Sequence, residues 1–354
     1  MMNKDKQILP LLLREKNALT SNDITLINDF YKHTGREGML EYLKGAKPNK
    51  AFASLLLSDL GIDTQFWRDV HQTYIDRNEQ VLEMLDGIFR CFHSLGGKSL
   101  SVQENFCSVL SSNISIGCFA SGDVDLHIEK EETNILVEAL ERNGFVDTLR
   151  TDKNIKPNSA YTEYFNAGAL DGNGFCMNLM HTPISRDDFM LHQDKYENRL
   201  AGERQNLEYY KNTDVCIFNP TAALYICSLH IACAHYYSAR PGLPLYCDVD
   251  RIIRHRDVDW NKIINWSIED QAGLRIALVL DLSNYFLNTE IPVSLDKFTN
   301  INTACYKKLR GRVVEEENFS LTESTGRLFR VYAELASDNM PIIKSILKRL
   351  SNKI

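Results

Sequence analysis

Residues 117–128 read Gly-Cys-Phe-Ala-Ser-Gly-Asp-Val-Asp-Leu-His-Ile, and this stretch decides the fold of the 354-residue chain. Apolar side chains at positions 124, 126 and 128 alternate with polar ones, which predicts a half-buried β-strand. Because side chains two positions apart on a strand share a face, we expect Asp123 and Asp125 to lie side by side. Paired carboxylates repel each other unless a cation lies between them, and hard oxygen ligands suit Mg²⁺. The alternative is an exposed strand end that carries two solvated aspartates.

Helical periodicity dominates both ends of the chain. From residue 5 to about residue 92 the apolar side chains recur every three or four positions, with breaks at Gly35, 45–48 and Gly61. After a polar link at 185–212, the helical pattern returns in four segments, at 221–235, 248–254, 260–266 and 274–287. Pro220 stands where the first of these would begin, and Asp259 is a plausible N-cap of the third.

Strands are predicted between these helical parts. Alternating patterns at 161–165 and 175–181 flank Asp-Gly and Asn-Gly dipeptides within 170–174, which predicts a β-hairpin. A helix over 131–143 is expected to end at Gly144.

These patterns predict an α+β fold, in which a small mixed or antiparallel sheet is flanked by helices and the N- and C-terminal parts are helical. The predicted division is a helical N-terminal segment over 1–90, an α/β core over 91–185 and a helical C-terminal domain over 186–354.

Composition excludes several classes of protein. Forty basic and 47 acidic side chains give a formal net charge of −7, so nucleic acid is not the expected partner. No apolar run approaches the roughly 20 residues that span a bilayer, and we therefore expect neither a membrane segment nor a signal peptide. Nine cysteines without any Cys-x-x-Cys pair indicate neither a zinc knuckle nor a redox motif, and they fit a reducing cytoplasm.

A glycine turn at 95–100, Leu-Gly-Gly-Lys-Ser-Leu, is the second candidate feature. We expect it to follow one helix and to open another at 101–110, so that the free N–H groups of that second helix could face a triphosphate. A P-loop is excluded because Phe92 occupies the position where that motif needs glycine. The alternative is a plain glycine turn between two helices.

The order of these features resembles the DNA polymerase beta-like nucleotidyltransferase superfamily: a glycine turn, a helix, a strand beginning Asp-x-Asp-Leu, a helix ending in Asn-Gly-Phe at 143–145, and a hairpin. More narrowly, residues 75–292 look like the bacterial family of uncharacterised nucleotidyltransferases. Matching features in the C-terminal part are Asn-Pro-Thr at 219–221, His230 and His235, the segment 248–253, and Asp-Trp at 259–260.

The resemblance implies that Asp123 and Asp125 bind the metal. A third carboxylate is expected in an Asp-Leu-His triplet on the second hairpin strand, but the chain reads Asn-Leu-Met there, with Asn178 in the acidic position. Asn178 can offer a carbonyl oxygen to Mg²⁺ but cannot take a proton. Glu163 on the preceding strand is an alternative, and whether it shares a face with Asn178 depends on a hairpin register that remains open.

The activity implied by the resemblance is transfer of NMP from a nucleoside triphosphate to an unidentified acceptor, with release of pyrophosphate. Mg²⁺ or Mn²⁺ is the implied cofactor, and a small molecule, a glycan or a peptide is the implied acceptor. The implied phosphate contacts are Gly96, Gly97, Lys98, Ser99 and Ser121. Two alternatives remain: a catalytically degraded protein that acts as a nucleotide-binding or regulatory module, and a helical scaffold whose α/β insert is structural.

Overall fold

The structure is a computed structural model of the full chain. It describes residues 4–45, 47–111, 114–120, 123–147, 161–166, 176–180, 199–200, 202–207, 213–233, 235–237 and 243–315. By Cα packing the chain divides into two units, of which the first spans 1–181 with 204–217 and the second spans 182–203 with 218–354. The division at residues 90 and 185 stays a prediction.

Helices make up the first part of the described chain, as expected. They are α1 (Lys4–Leu12), α2 (Ser21–Tyr42), α3 (Lys47–Asp59) and α4 (Thr64–Ser94). Gly35 has a φ of 67° and produces a kink within α2, while Gly61 has a φ of 77° between α3 and α4. Both glycines adopt the left-handed region that disfavours other residues, which explains the breaks in the helical pattern.

Seven strands form one mixed sheet within the described residues. They are β1 (Ser101–Gln103), β2 (Asp123–His127), β3 (Phe145–Asp147), β4 (Tyr161–Asn166), β5 (Cys176–Met180), β6 (Arg204–Asn206) and β7 (Cys216–Phe218). Their order across the sheet is β3-β4-β5-β2-β1-β7-β6. β2 pairs with β5 and β1 with β7 in parallel, whereas β1–β2, β3–β4 and β4–β5 are antiparallel. The predicted α+β class with a mixed sheet flanked by helices is confirmed.

Two helices lie between strands along the chain, α5 (Glu104–Ser111) and α6 (Thr133–Arg142). Gly144 follows α6 with a φ of 83°, as predicted. The antiparallel pairing of the predicted hairpin is also confirmed, while its expected turn at 170–174 lies outside the described residues.

The predicted helix over 101–110 needs a correction, because its first three residues form β1 and α5 begins only at Glu104. Val102 pairs with Leu126 on one side and with Ile217 on the other, so β1 is an interior strand. Apolar residues at 102, 106, 109 and 110 keep one helical spacing across the boundary between β1 and α5. The sequence pattern therefore does not reveal the three-residue strand.

The second unit contains α7 (Pro220–Cys233), α8 (Leu243–His255), α9 (Trp260–Glu269), α10 (Gly273–Leu287) and α11 (Ala304–Glu315). Pro220 is the first residue of α7, and the Asp259 carboxylate accepts a hydrogen bond from the Lys262 N–H at 3.0 Å. Both predicted helix starts are therefore confirmed. In the described part of the chain, no helix has the length and apolar character needed to cross a membrane.

The glycine pair after α4 is required by local geometry. Gly96 has a φ of 95°, and the N–H of Gly97 donates to the Phe92 carbonyl at 3.0 Å, which closes the end of the helix. A Cβ on Gly97 would lie 2.2–2.5 Å from three atoms of the Phe92 ring. The close contact with Phe92 thus explains why residue 97 is glycine, whereas the positive φ explains glycine at position 96.

We predict that Gly97→Ala lowers the free energy of unfolding by about 1–3 kcal/mol, because the new methyl group must displace a buried ring. Urea unfolding of Gly97→Ala, Phe92→Leu and the double variant measures the coupling between the two positions. The smaller leucine should recover part of the loss. Gly202→Ala is the matched control, since an added Cβ there meets nothing within 4 Å. Strictly additive effects would contradict this explanation.

Candidate functional site

Asp123 and Asp125 lie on one face of β2 and are partly exposed, whereas Val124 and Leu126 on the opposite face are buried. A strand rises about 3.3 Å per residue, so the two aspartate Cα atoms are about 6.6 Å apart. The predicted arrangement of two carboxylates above an apolar face is therefore present in the structure.

The neighbouring strands place further oxygen-bearing residues in register with this pair. Asp125 is opposite Gln103 on β1 and in register with Asn178 on β5, and Asn178 in turn pairs with Glu163 on β4. One row across four strands thus reads Gln103, Asp125, Asn178, Glu163, and residues in register share a face of the sheet. The register that the sequence left open puts Glu163 on the face of Asn178, two strand spacings, or about 9.6 Å, from Asp125.

The glycine turn lies at the other end of β2. Ser101, which follows the turn, pairs with His127, and His127 lies four residues, or about 13 Å, along the strand from Asp123. Gly96, Gly97, Lys98 and Ser99 are therefore not brought together with the aspartate pair. Ser121 lies outside the described residues.

Glu132 accepts hydrogen bonds from the polar groups of this turn. Its Oε2 accepts hydrogen bonds from the Lys98 N–H at 2.8 Å, the Ser99 N–H at 2.7 Å and the Ser99 hydroxyl at 2.7 Å. Partial burial opposes ionisation of Glu132, but the bonds from Ser99 and Lys98, together with the charge of Arg204, hold the pKa of its carboxyl below the ordinary value. A carboxylate of the chain itself thus accepts the hydrogen bonds of Lys98 and Ser99, two residues that were expected to contact phosphate.

The segment before β2 is held on α4 by the side chain of Asn78, which is fully buried. The Asn78 amide group donates to the carbonyl of Ile116 and to that of Phe119, both at 2.7 Å. Phe119 is buried in turn against the Phe106 ring of α5, with ring centroids 4.4 Å apart. The backbone that leads into the aspartates is therefore fixed by two buried hydrogen bonds and an aromatic contact.

His71 lies about two turns before Asn78 on α4 and holds the same segment. Its Nδ1 faces the Ala51 carbonyl at 3.3 Å and must donate there, so Nε2 accepts from the Ser115 hydroxyl at 2.7 Å. Burial lowers the pKa of the His71 imidazole, which favours this neutral form. A Cβ on Gly117 would lie 2.8 Å from the His71 ring, so glycine permits the close approach of the segment to α4.

The far end of β2 is held by Arg204 of β6. Its guanidinium donates to Glu129 at 3.2 Å and faces the Nδ1 of His127 at 3.4 Å. His127 is only 1% exposed, so it packs in the sheet on the same face as Asp125.

The donor chemistry of the aspartate face fits one hard divalent cation. Two partly exposed carboxylates on one face of β2, flanked in the row by the amide residues Gln103 and Asn178, supply the oxygen donors that Mg²⁺ and Mn²⁺ prefer. Within the described side chains, no group of three or more His, Cys, Asp or Glu residues is arranged to hold a metal ion. Protein carboxylates would therefore supply only part of the coordination shell.

His230 and His235 come together in the second unit. The sequence places them five residues apart, which on a continuous helix would separate them by about 140°. Because α7 ends at Cys233, the chain turns and brings the two Nε2 atoms to 2.8 Å, within hydrogen-bond distance.

Sequence analysis missed Asn78 and His71, which hold the segment before the aspartates, Arg204, which holds the far end of β2, and Glu132, which holds the glycine turn. A signal exists for the first two, because both lie on the apolar face of α4 that also carries Val81 and Leu85. Polar side chains on a buried helical face need hydrogen-bond partners, and they therefore indicate a structural role. Glu132 and Arg204 carry no such signal, since charged residues are ordinary in a surface helix or strand.

Comparison with known proteins identifies one family. Residues 65–288 match the model of a family described as an uncharacterised nucleotidyltransferase. That match spans most of the chain, including α4, the sheet and the helices of the second unit up to α10. A search of curated proteins finds no match.

We predict that Asn78→Asp lowers the free energy of unfolding by at least about 3 kcal/mol, because a buried carboxylate would face two carbonyl oxygens without the donors that now satisfy them. Urea unfolding followed by circular dichroism measures the change. Asn134→Asp makes the same substitution at an exposed position of α6 and should have little effect. Equal losses for the two variants would show that the Asn78 amide does not hold the segment.

The Glu132 contact predicts a pH dependence of stability. Since the pKa of Glu132 is lower in the folded than in the unfolded chain, its contribution is present above the ordinary value of 4.5 and is lost as the pH falls through the folded pKa. At neutral pH, Glu132→Gln should therefore cost about 1–3 kcal/mol. The difference from wild type should shrink below pH 4.5.

Glu131→Gln, at the exposed neighbouring position, is the control for loss of one surface charge. A wild-type stability profile that runs parallel to that of Glu132→Gln down to pH 3 would contradict a charged contact with the turn.

Proposed function

Because the chain belongs to the uncharacterised nucleotidyltransferase family, we propose that it transfers a nucleoside monophosphate from a nucleoside triphosphate to an acceptor and releases pyrophosphate. The observation that carries this proposal is the pair Asp123 and Asp125 on one face of β2, within the residues that the family model matches. Family membership supports the general role in nucleotidyl transfer, and the aspartate pair supports the metal-dependent form of it.

In this proposal Asp123 and Asp125 bind Mg²⁺ or Mn²⁺, and the Asn178 carbonyl adds a neutral oxygen. When bound, the cation neutralises phosphate charge and orients the triphosphate for in-line attack at the α-phosphorus. α5 begins directly after Gln103, opposite Asp125, so its N-terminus lies at the aspartate end of the sheet. We propose this helix N-terminus, in place of the glycine turn, as the phosphate contact.

The reaction forms a bond between the acceptor oxygen and the α-phosphorus and breaks the bond from that phosphorus to the oxygen bridging the β-phosphate. The electron pair leaves with pyrophosphate, and the acceptor hydroxyl loses its proton. Glu163 is the proposed proton acceptor, because Asn178 cannot take a proton and Glu163 occupies the next position of the same row.

The proposed partners are a nucleoside triphosphate and a small-molecule, glycan or peptide acceptor. We propose membership of the polymerase beta-like superfamily, which the order of the aspartate strand, α6 and the hairpin supports. A cytoplasmic location is proposed because nine cysteines without any Cys-x-x-Cys pair fit a reducing compartment.

A nucleotide-binding or regulatory module is the second candidate function. The specific observation in its favour is that Asn178 stands in register with Asp125, where a third acid would complete the metal site. Such a module would bind the metal–nucleotide complex without turnover.

We predict that Asp123→Asn reduces pyrophosphate release by at least about a hundredfold, because loss of one carboxylate removes metal positioning on which the step depends. The measurement incubates the protein with each γ-³²P nucleoside triphosphate and Mg²⁺ and follows the labelled pyrophosphate. Asp257→Asn, which removes an exposed aspartate of the second unit, is the matched control.

Calorimetric titration with Mn²⁺ and ATP separates the two candidate functions. If wild type binds the complex, Asp123→Asn does not, and neither releases pyrophosphate, the module is favoured. Turnover at the wild-type rate in Asp123→Asn would remove the aspartate pair from the reaction.

A further inference from the structure

A serine hydroxyl and a buried imidazole are in contact where the segment before β2 meets α4. The Oγ of Ser115 lies 2.7 Å from the Nε2 of His71. Ser115 is partly exposed, whereas His71 is only 6% exposed. The proposed nucleotidyl transfer does not use this pair. A hydroxyl within hydrogen-bond reach of a base, which a third group holds in place, is the arrangement that activates a serine as a nucleophile.

The groups around the second ring nitrogen fix the tautomer of His71. Its Nδ1 lies 3.3 Å from the Ala51 carbonyl oxygen and 3.3 Å from the Ser54 hydroxyl oxygen. The Ser54 hydroxyl donates its single proton to the same carbonyl at 2.9 Å, so both neighbours of Nδ1 act as acceptors. Nδ1 therefore carries the ring proton, and Nε2 presents its lone pair to the Ser115 hydroxyl.

Burial keeps this imidazole in the neutral form. It lowers the pKa of His71 and outweighs the Ala51 carbonyl and the charge of Asp59, both of which favour the protonated form. The base is therefore unprotonated at neutral pH and can accept a proton from the hydroxyl.

The Ser115 oxygen also retains the capacity to attack. Its proton is directed at Nε2, and one of its two lone pairs accepts the Gly117 N–H at 3.3 Å, where Ser115 caps a short 3-10 helix (Ile116–Cys118). In the described part of the chain the second lone pair has no donor. The cap requires only the contact with Gly117, so the imidazole adds a base that capping does not need.

We propose that Ser115 is a nucleophilic serine, that His71 is its general base, and that this second reactive centre takes phosphorus esters or anhydrides as substrates. The choice of substrate class rests on the proposed function, in which the chain meets such an anhydride as a nucleoside triphosphate. In the reaction the Ser115 Oγ forms a bond to phosphorus and the bond from phosphorus to the leaving group breaks. The electron pair of that bond departs with the leaving group, and the hydroxyl proton passes to Nε2 of His71.

Diisopropyl fluorophosphate, a small phosphorus ester with fluoride as its leaving group, tests the proposal without metal or nucleotide. Mass spectrometry of the digested wild-type protein should find the label on Ser115 at least about a hundredfold faster than on Ser94, because a general base contributes at least that factor. Ser94 is the matched internal control. It is exposed, but its hydroxyl donates to the Cys91 carbonyl at 2.7 Å and not to a base.

The pH profile of labelling separates a base from a merely structural partner. Since burial holds the pKa of His71 below its ordinary value of 6.5, labelling of Ser115 should persist at pH 6.5 and fall at lower pH as the imidazole is protonated. His71→Gln can keep a hydrogen bond to Ser115 but cannot take the proton, so it should lower labelling about a hundredfold. Circular dichroism verifies the fold, and the wild-type profile provides the test if the variant does not fold.

Equal labelling of Ser115 and Ser94 in wild type, or labelling of folded His71→Gln at the wild-type rate, would overturn this inference. The proposed function would remain intact, since neither measurement involves the aspartates. Failure of wild type to bind Mn²⁺ and ATP would instead overturn the proposed function and leave the reactive serine in place. Rapid labelling of Ser115 that is lost with the His71 base would support the nucleophilic serine.

Discussion

The site depends on the two hydrogen bonds that the buried Asn78 amide donates to the carbonyls of Ile116 and Phe119. These carbonyls belong to the segment that enters β2, and water cannot replace a donor at a fully buried position. The His71 imidazole of α4 adds a third bond to the same segment, through the Ser115 hydroxyl. The start of β2, which carries Asp123 and Asp125, is thus fixed relative to α4.

Once β2 is oriented, its two faces perform different tasks. Val124 and Leu126 are buried on one face and stabilise the packing, while the aspartates on the other face remain partly exposed. The opposite end of the strand is held by Arg204 through Glu129 and by the pairing of Ser101 with His127. The strand that carries the two carboxylates is thus fixed at both ends.

The glycine turn shows why a local motif does not by itself define a binding site. Gly-Gly-Lys-Ser offers backbone N–H groups and a hydroxyl that could receive a phosphate, but the Glu132 carboxylate accepts hydrogen bonds from Lys98 and Ser99 instead. The chain brings its own anion to this position from the start of α6, 33 residues beyond Ser99. Only the tertiary structure shows this pairing, since nothing in the spacing of the two segments indicates it.

The sequence by itself determined the helical character of the first 92 residues, the starts at Pro220 and Asp259, the strand with the aspartate pair and the antiparallel pairing of the hairpin strands, because periodicity, glycine and proline positions act over a few residues. It also determined that Asp123 and Asp125 share a face, since alternation along a strand is a local property. The tertiary structure decided that residues 101–103 form a strand, that the glycine turn lies away from the aspartates, and that Glu163 and Asn178 lie in one row with Asp125. These features depend on pairing between segments that are distant in the chain, and a one-residue shift in such pairing changes which side chains share a face.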